Sequence, residues 1–301
     1  VVSREYLDTT ASGLDTPGCR HRLIFVLKKE KISIMKKTIF ITGASTGLGK
    51  ATALLFQAKG WNVIATMRNP QKETTLTNFE NVTLLPLDVT NPEQIKTTVA
   101  KAISLYSVDV VFNNAGYGLM GVLESLSDEQ ITQQINTNLL GVLRVTQAFI
   151  PHFREKKSGL FISTTSMGGF LTFPLGSVYH AAKFAIEGWS ESMSFELSIH
   201  NIGIKTVAPG GIATDFFGRS LVNNSHPAYE EMEKKIFSNV DGMMQNASTP
   251  EQIAAVVYEA ATDGKDQVRY VAGADANALY ARRLEIGSEA FRIELGKQVM
   301  G

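Results

Sequence analysis

From Lys36 onward the chain alternates short, β-branched apolar runs with longer amphipathic stretches, and no other feature narrows the possible folds as far. The runs are Thr38 to Thr42, Asn62 to Thr66, Val82 to Leu87, Val108 to Asn113, Leu160 to Thr164, Ile204 to Ala208 and Val268 to Val271. Most are continuously apolar instead of alternating, as expected of strands covered on both faces. Strand then helix, repeated, calls for parallel strands joined by crossovers. The expected fold is α/β: a doubly wound (Rossmann) seven-stranded parallel sheet with helices on both faces.

Helix starts are marked as clearly. Asn91, Pro92 and Gln94 combine an N-cap, a first-turn proline and a capping-box partner; Thr249, Pro250 and Gln252 repeat the pattern, and Ser127 with Gln130 does so without proline. Ile95, Val99 and Ile103 then fall four apart, one apolar stripe against a sheet. Only Met67 to Asn81 separate the second and third runs, so that crossover is expected to be short and mostly irregular. The first 34 residues show no sustained period and are read as a leader or tag-like extension, expected to be disordered, before a natural start at Met35. Residues 35–301 are read as a single domain.

The 29 basic and 29 acidic residues cancel, which leaves no electrostatic footprint for nucleic acid or an acidic membrane. The apolar run Leu23 to Leu27 is too short for a membrane span. One thiol, Cys19, can form neither an internal disulfide nor a cysteine zinc site, and the cytoplasm is the expected compartment. The five histidines, His180 among them, show no ligand spacing, so no metal is expected.

Directly after the first strand stands Thr42-Gly-Ala-Ser-Thr-Gly-Leu-Gly49, opening a helix. Gly43, Gly47 and Gly49 suit a tight turn, close backbone approach to a pyrophosphate and close helix–strand packing, while the helix N-terminus offers free N–H groups and partial positive charge. In that strand–turn–helix context the reading is a dinucleotide cradle formed by Gly43, Ser45, Thr46, Gly47, Leu48 and Gly49. At the end of the second strand, where an acid would hold the 2′-hydroxyl of NAD, the chain has Met67 and Arg68. A guanidinium there can grip a 2′-phosphate, with hydroxyls from Ser45 and Thr46, so NADP(H) is expected; the alternative is a solvated surface charge.

Tyr179 and Lys183 lie one helical turn apart and emerge on the same face. A free phenol with a pKa of about 10 is a poor acid–base catalyst near neutrality, and a neighbouring ammonium lowers that value. Ser166 stands thirteen residues before Tyr179, just past a strand end, with Ser163, Thr164 and Thr165 as competing hydroxyls.

The GxxxGxG turn, Asp88, Asn113-Asn114-Ala115-Gly116, Asn138, Ser166, Tyr179/Lys183 and Pro209-Gly210, in that order, resemble the short-chain dehydrogenase/reductase family from about Lys36 to at least Thr214. The resemblance implies an oxidoreductase interconverting a ketone or aldehyde with its alcohol. It makes Tyr179 the general acid/base, Ser166 the carbonyl-oxygen hydrogen-bonder, and Lys183 the group that tunes Tyr179 and holds the nicotinamide ribose. Asn138 would order a proton-supplying water. Asp88 would contact the adenine, and Asn114, Ala115 and Gly116 would support cofactor and sheet, unless these are only strand-end caps. Pro209, Gly210, Ile212 and Thr214 would fix the nicotinamide carboxamide.

Tyr117, Leu119, Met120, Phe170, Leu171, Phe173, Phe216, Phe217, Met243 and Met244 suggest a hydrophobic substrate, with ordinary core packing as the alternative for any one of them. Residues 214–247 read as a mobile lid. Two rival functions remain: a 3-oxoacyl carrier-protein reductase, to which the balanced charge gives little support, and a non-catalytic NADP-sensing protein, a type that usually lacks the tyrosine or lysine present here. The resemblance further implies a homodimer or homotetramer built through the long helices.

Overall fold

Every one of the seven expected strands forms, and all of them pair in parallel within one sheet. The computed structural model describes residues 36–213, 221–244 and 247–300, so the expected leader over 1–34 lies outside it. In chain order the strands are β1 (Thr38–Ile41), β2 (Asn62–Met67), β3 (Val82–Pro86), β4 (Val110–Asn113), β5 (Gly118–Met120), β6 (Gly159–Thr164), β7 (Ile202–Pro209), β8 (Leu221–Asn223) and β9 (Arg269–Ala272). The main sheet runs β3-β2-β1-β4-β6-β7-β9. After β1 the chain builds outward through β2 and β3, then returns to place β4 on the other side. The boundary between β1 and β4 is therefore the switch point, where crevices open beyond the carboxyl ends of the strands.

The helices are α1 (Gly47–Ala58), α2 (Pro92–Leu105), α3 (Asp128–Ile135), α4 (Gly141–Lys156), α5 (Ser177–Ser198), α6 (Glu230–Met244), α7 (Pro250–Thr262), α8 (Ala274–Ile286) and α9 (Ser288–Met300). Alternation along each strand explains why two faces are covered. Ile39, Ile41, Val63 and Ala65 pack with Ala53 and Phe56 of α1 and with Ile253 and Val257 of α7. Phe40, Ile64 and Val111 point the other way, into Ile95 and Val99 of α2 and Val145, Phe149 and Phe153 of α4. A third cluster, with Phe170, Leu171, Ile236, Phe291 and Leu295, lies outside both layers.

Local chemistry decides where elements start and stop. Ser127 and Thr249 form reciprocal capping boxes with Gln130 and Gln252. Asn91 caps α2 by accepting from Gln94 N–H, but the Gln94 side chain reaches past it to the Asp88 N–H instead of closing the box. The second crossover holds only two 3-10 turns, Pro70–Lys72 and Leu76–Asn78. It is pinned by Glu73, whose carboxylate accepts from Lys50 and from the N–H groups of Thr75 and Leu76.

Two features were not expected. A π-turn, Asn136–Leu140, joins α3 to α4. The three-residue strands β5 and β8 pair in parallel as a second sheet, extended where Asn224 N–H donates to Met120 O and Gln130 Nε2 to Asn224 Oδ1. The stretch expected as a lid thus contains ordered elements, β8 and α6, while 214–220 and 245–246 lie outside the described residues.

Candidate active site

A cavity of about 1210 Å³ runs along the carboxyl ends of the strands. Among its walls are Gly43, Ser45, Thr46, Gly47, Leu48, Arg68, Asp88, Asn114, Ala115, Gly116, Ser166, Tyr179, Lys183, Pro209, Gly210 and Ile212. One groove thus gathers sequence signals separated by up to 169 positions. Gly49 and Asn138 do not line it, and Thr214 lies outside the described residues.

At the β1 end, Gly43 sits at φ +67°, and a Cβ there would come within 2.8 Å of Ala115 Cα. A Cβ at Gly49 would run into Gly43 O and the Asn114 amide, so Gly49 works by letting helix and turn close up. Thr42 ties turn to sheet: its hydroxyl accepts from the N–H groups of Asn114 and Ala115, and Asn114 Nδ2 donates to the carbonyls of Thr42 and Gly43. The first turn of α1 carries no acidic residue, and Thr46 makes no side-chain cap. Its N–H groups and partial positive charge therefore face the groove uncompensated. Arg68 is exposed at the end of β2 and makes no hydrogen bond or ion pair among the described residues. Asp88 is half-buried; its Oδ1 accepts from Thr90 N–H and Oγ1, a strand-end cap in the wall of the same groove.

At the β6 end, Ser166 Oγ accepts from Gly168 N–H at 3.0 Å and faces the Tyr179 hydroxyl closely enough to favour its phenolate. The competing hydroxyls are engaged or enclosed. Thr164 donates to Asn114 Oδ1, Thr165 to Glu187 and Val207 O, and Ser163 Oγ is buried without a partner among the described residues. Lys183 is buried, donates to Thr164 O at 2.9 Å and lies 5.8 Å from the centre of the Tyr179 ring. Burial pulls its ammonium down to about 8, with Glu187 one turn further along α5 opposing the fall. Burial also pushes the Tyr179 phenol above its ordinary value, and the Ser166 hydrogen bond opposes this only in part. The lowering expected from Lys183 is not found: its ammonium is engaged with the Thr164 carbonyl, and desolvation of the phenolate sets the direction.

Asn138 sits in the π-turn, fully buried, where it donates to Tyr117 O at 2.7 Å and accepts from Tyr117 N–H at 3.1 Å. These bonds reach twenty-one residues back along the chain, so it is not a locally satisfied helix asparagine. Of the expected apolar walls, Tyr117, Leu119, Met120 and Phe173 line the cavity, whereas Phe170 and Leu171 belong to the outer core cluster. Phe216 and Phe217 lie outside the described residues, and Met243 and Met244 end α6. Leu221, Val222 and Ile236 line the cavity from β8 and α6.

The model for short chain dehydrogenases matches residues 37–225. The chain belongs to the short-chain dehydrogenase/reductase family. An uncharacterized oxidoreductase of Schizosaccharomyces pombe is 37% identical over 77% of this chain and 99% of its own length. The 3-ketodihydrosphingosine reductase of Bacteroides thetaiotaomicron is 31% identical over 81% of this chain and 90% of that protein. Among solved structures, ElxO with NADP bound is 28% identical, with a TM-score of 0.66 over 79% of this chain and 98% of that one. This short-chain dehydrogenase is an oxidoreductase, and no helix among its described residues is long and apolar enough to cross a membrane.

Three further residues of this dehydrogenase shape the site: His180, which shows no ligand spacing and is structural, and Glu187 and Asp275, which the sequence did not single out. His180 is buried, with Nδ1 on Gly168 O at 2.8 Å and Nε2 accepting from Phe173 N–H at 3.0 Å, and so holds the loop after Ser166. Glu187 joins Thr165 and Thr206 to Arg269 of β9 at 2.7 Å. Asp275, at the start of α8, accepts from Gly211 N–H. The spacing of Glu187, four residues after Lys183, could have flagged it; Asp275 depends on tertiary contacts alone.

Proposed function

We propose that the chain is an NADP(H)-dependent reductase or dehydrogenase that interconverts a hydrophobic ketone or aldehyde with its alcohol, with Tyr179 as general acid/base. The observation that carries this reading is that Ser166, Tyr179 and Lys183 line the same groove as the glycine turn and Arg68, which has no partner among the described residues. The cradle fits a dinucleotide: Gly43 and Gly49 stand where a Cβ would collide with backbone, and the start of α1 offers N–H groups with no acid in its first turn. Ser45 and Thr46 offer hydroxyls beside Arg68 for a 2′-phosphate, and a structural relative of this chain has been solved with NADP bound. Bound in that groove, the cofactor supplies or accepts the hydride.

In reduction, Ser166 donates to the substrate carbonyl oxygen, its direction set by the bond it accepts from Gly168 N–H. Tyr179 gives its proton to that same oxygen as negative charge develops there. Burial keeps the phenol protonated beforehand, the state an acid requires. Lys183 then faces the new phenolate with its ammonium, and Asn138, held against the Tyr117 backbone, would order the water that returns the proton. Tyr117, Leu119, Met120, Phe173, Leu221 and Ile236 supply apolar walls for the substrate. Residues 214–247 would cover that end as a lid. The cytoplasm and a homo-oligomer held through the long helices complete the proposal.

Replacing Tyr179→Phe should abolish turnover of a panel of ketones and aldehydes while leaving NADPH affinity within a few-fold. Unchanged activity in that variant would sink the assignment.

A further inference from the structure

Gly210 follows β7 and has no positive φ, so backbone freedom does not explain it. Space does: a Cβ there would run into the Asp275 carboxylate. Asp275 stands in the first turn of α8, and its Oδ2 accepts from Gly211 N–H at 2.7 Å. Its Oδ1 is buried without a hydrogen-bond partner among the described residues, and the side chain shares the cavity wall with Gly210, Gly211, Tyr179 and Lys183. The turn it grips is braced on both sides, by Gly210 N–H on Ala272 O and Ser248 N–H on Gly211 O. A carboxylate with one satisfied oxygen and one enclosed, unsatisfied one is costly unless something compensates its charge.

The order of strands says what that could be. A dinucleotide held with its phosphates at the start of α1 and its 2′-phosphate toward Arg68, just past β2, would have only the β4, β6 and β7 side of the groove for its other half. Hydride exchange at a carbon held by Tyr179 would then bring the nicotinamide between Tyr179 and the turn after β7. The oxidised ring is a cation and the reduced ring is neutral, so a fixed anion nearby distinguishes them.

Building on the NADP(H) reading above, we propose that Asp275 is a cofactor-positioning residue whose carboxylate, clamped on the Gly210–Gly211 turn, favours binding of the oxidised cofactor over the reduced one. Gly210 is the small residue that makes room for it. The protein's ratio of affinities for NADP⁺ and NADPH is thereby set from outside the catalytic residues.

The test is direct titration of the full chain with NADP⁺ by calorimetry and with NADPH by fluorescence, for wild type, Asp275→Asn and Gly210→Ala. Asparagine keeps an oxygen for Gly211 N–H but loses the charge. For Asp275→Asn the dissociation constant for NADP⁺ should rise on the order of five- to tenfold, with NADPH within about twofold, from the Coulomb energy of partly screened charges several ångströms apart. Gly210→Ala, which displaces the carboxylate, should move the ratio in the same direction and serves if Asp275→Asn does not fold. Equal weakening of both nucleotides, or no change in either, overturns the proposal and leaves the cofactor reading standing. A wild type that binds neither nucleotide overturns the cofactor reading and this inference with it.

Discussion

Arg68 and Gly49 look alike in the sequence, each a single residue in a motif, yet they act through opposite physics. Gly49 contributes by absence: helix α1 can approach Gly43 and Asn114 only because nothing projects from it. Arg68 contributes by being unspent, since an exposed guanidinium with no partner among the described residues loses no existing interaction when a phosphate arrives. A bidentate, charge-assisted contact at a solvent-facing site is worth roughly 1.5 kcal/mol, about tenfold in affinity. Arg68→Ala should therefore weaken NADPH binding about tenfold or more while NADH, which lacks the 2′-phosphate, changes less than about threefold. Parallel titrations of the two cofactors measure this, and equal losses for both would show that Arg68 does not read the phosphate.

At the scale of elements, α5 concentrates the chemistry. Tyr179, Lys183 and Glu187 follow one another at intervals of four, so acid, ammonium and buried carboxylate line one face. Around Lys183 stand Tyr179 and Glu187 on its own helix and the Thr164 carbonyl on β6. Because burial brings the ammonium to about 8 and Glu187 resists that fall, the reductive kcat should hold near neutrality and decline as pH rises through about 8. In Glu187→Gln the resisting charge is gone, and the decline should begin at lower pH; a pH–rate profile with an unmoved alkaline limb would remove Lys183 from this role. The strands, the caps and the irregular second crossover were legible because each depends on residues adjacent in sequence. The β5–β8 pair was not, since three-residue strands carry no readable period and their partners lie about a hundred positions apart. Phe170 and Leu171 carried the same apolar signal as Phe173, and only their depth in the folded chain, buried where Phe173 is partly exposed, separates core from wall. Asp275 was invisible for a related reason, because the group it satisfies belongs to a turn that exists only once the sheet is assembled.

For the molecule as a whole, the helix that holds the catalytic face inward also presents an apolar face outward. Phe195 and Phe184 of α5 are 78% and 38% exposed, eleven positions apart and so on one side, and Ile199, just past the helix end, is 77% exposed. Single exposed apolar residues are ordinary, but two on one stripe and a third at its end, beside Gly188, where a Cβ would meet nothing, form a surface that a second copy can approach closely. A two-fold axis would set the stripe against itself, burying the same residues from both subunits. Such an arrangement would brace α5 from behind while its inner face keeps Tyr179 and Lys183 aimed into the groove. Phe195→Asp places two like charges at the centre of that contact, so it should shift the protein toward monomer at micromolar concentration, read by sedimentation velocity, with NADPH binding retained. A wild type that already sediments as a monomer under those conditions would remove the homo-oligomer from the proposal and leave the stripe without an assigned partner.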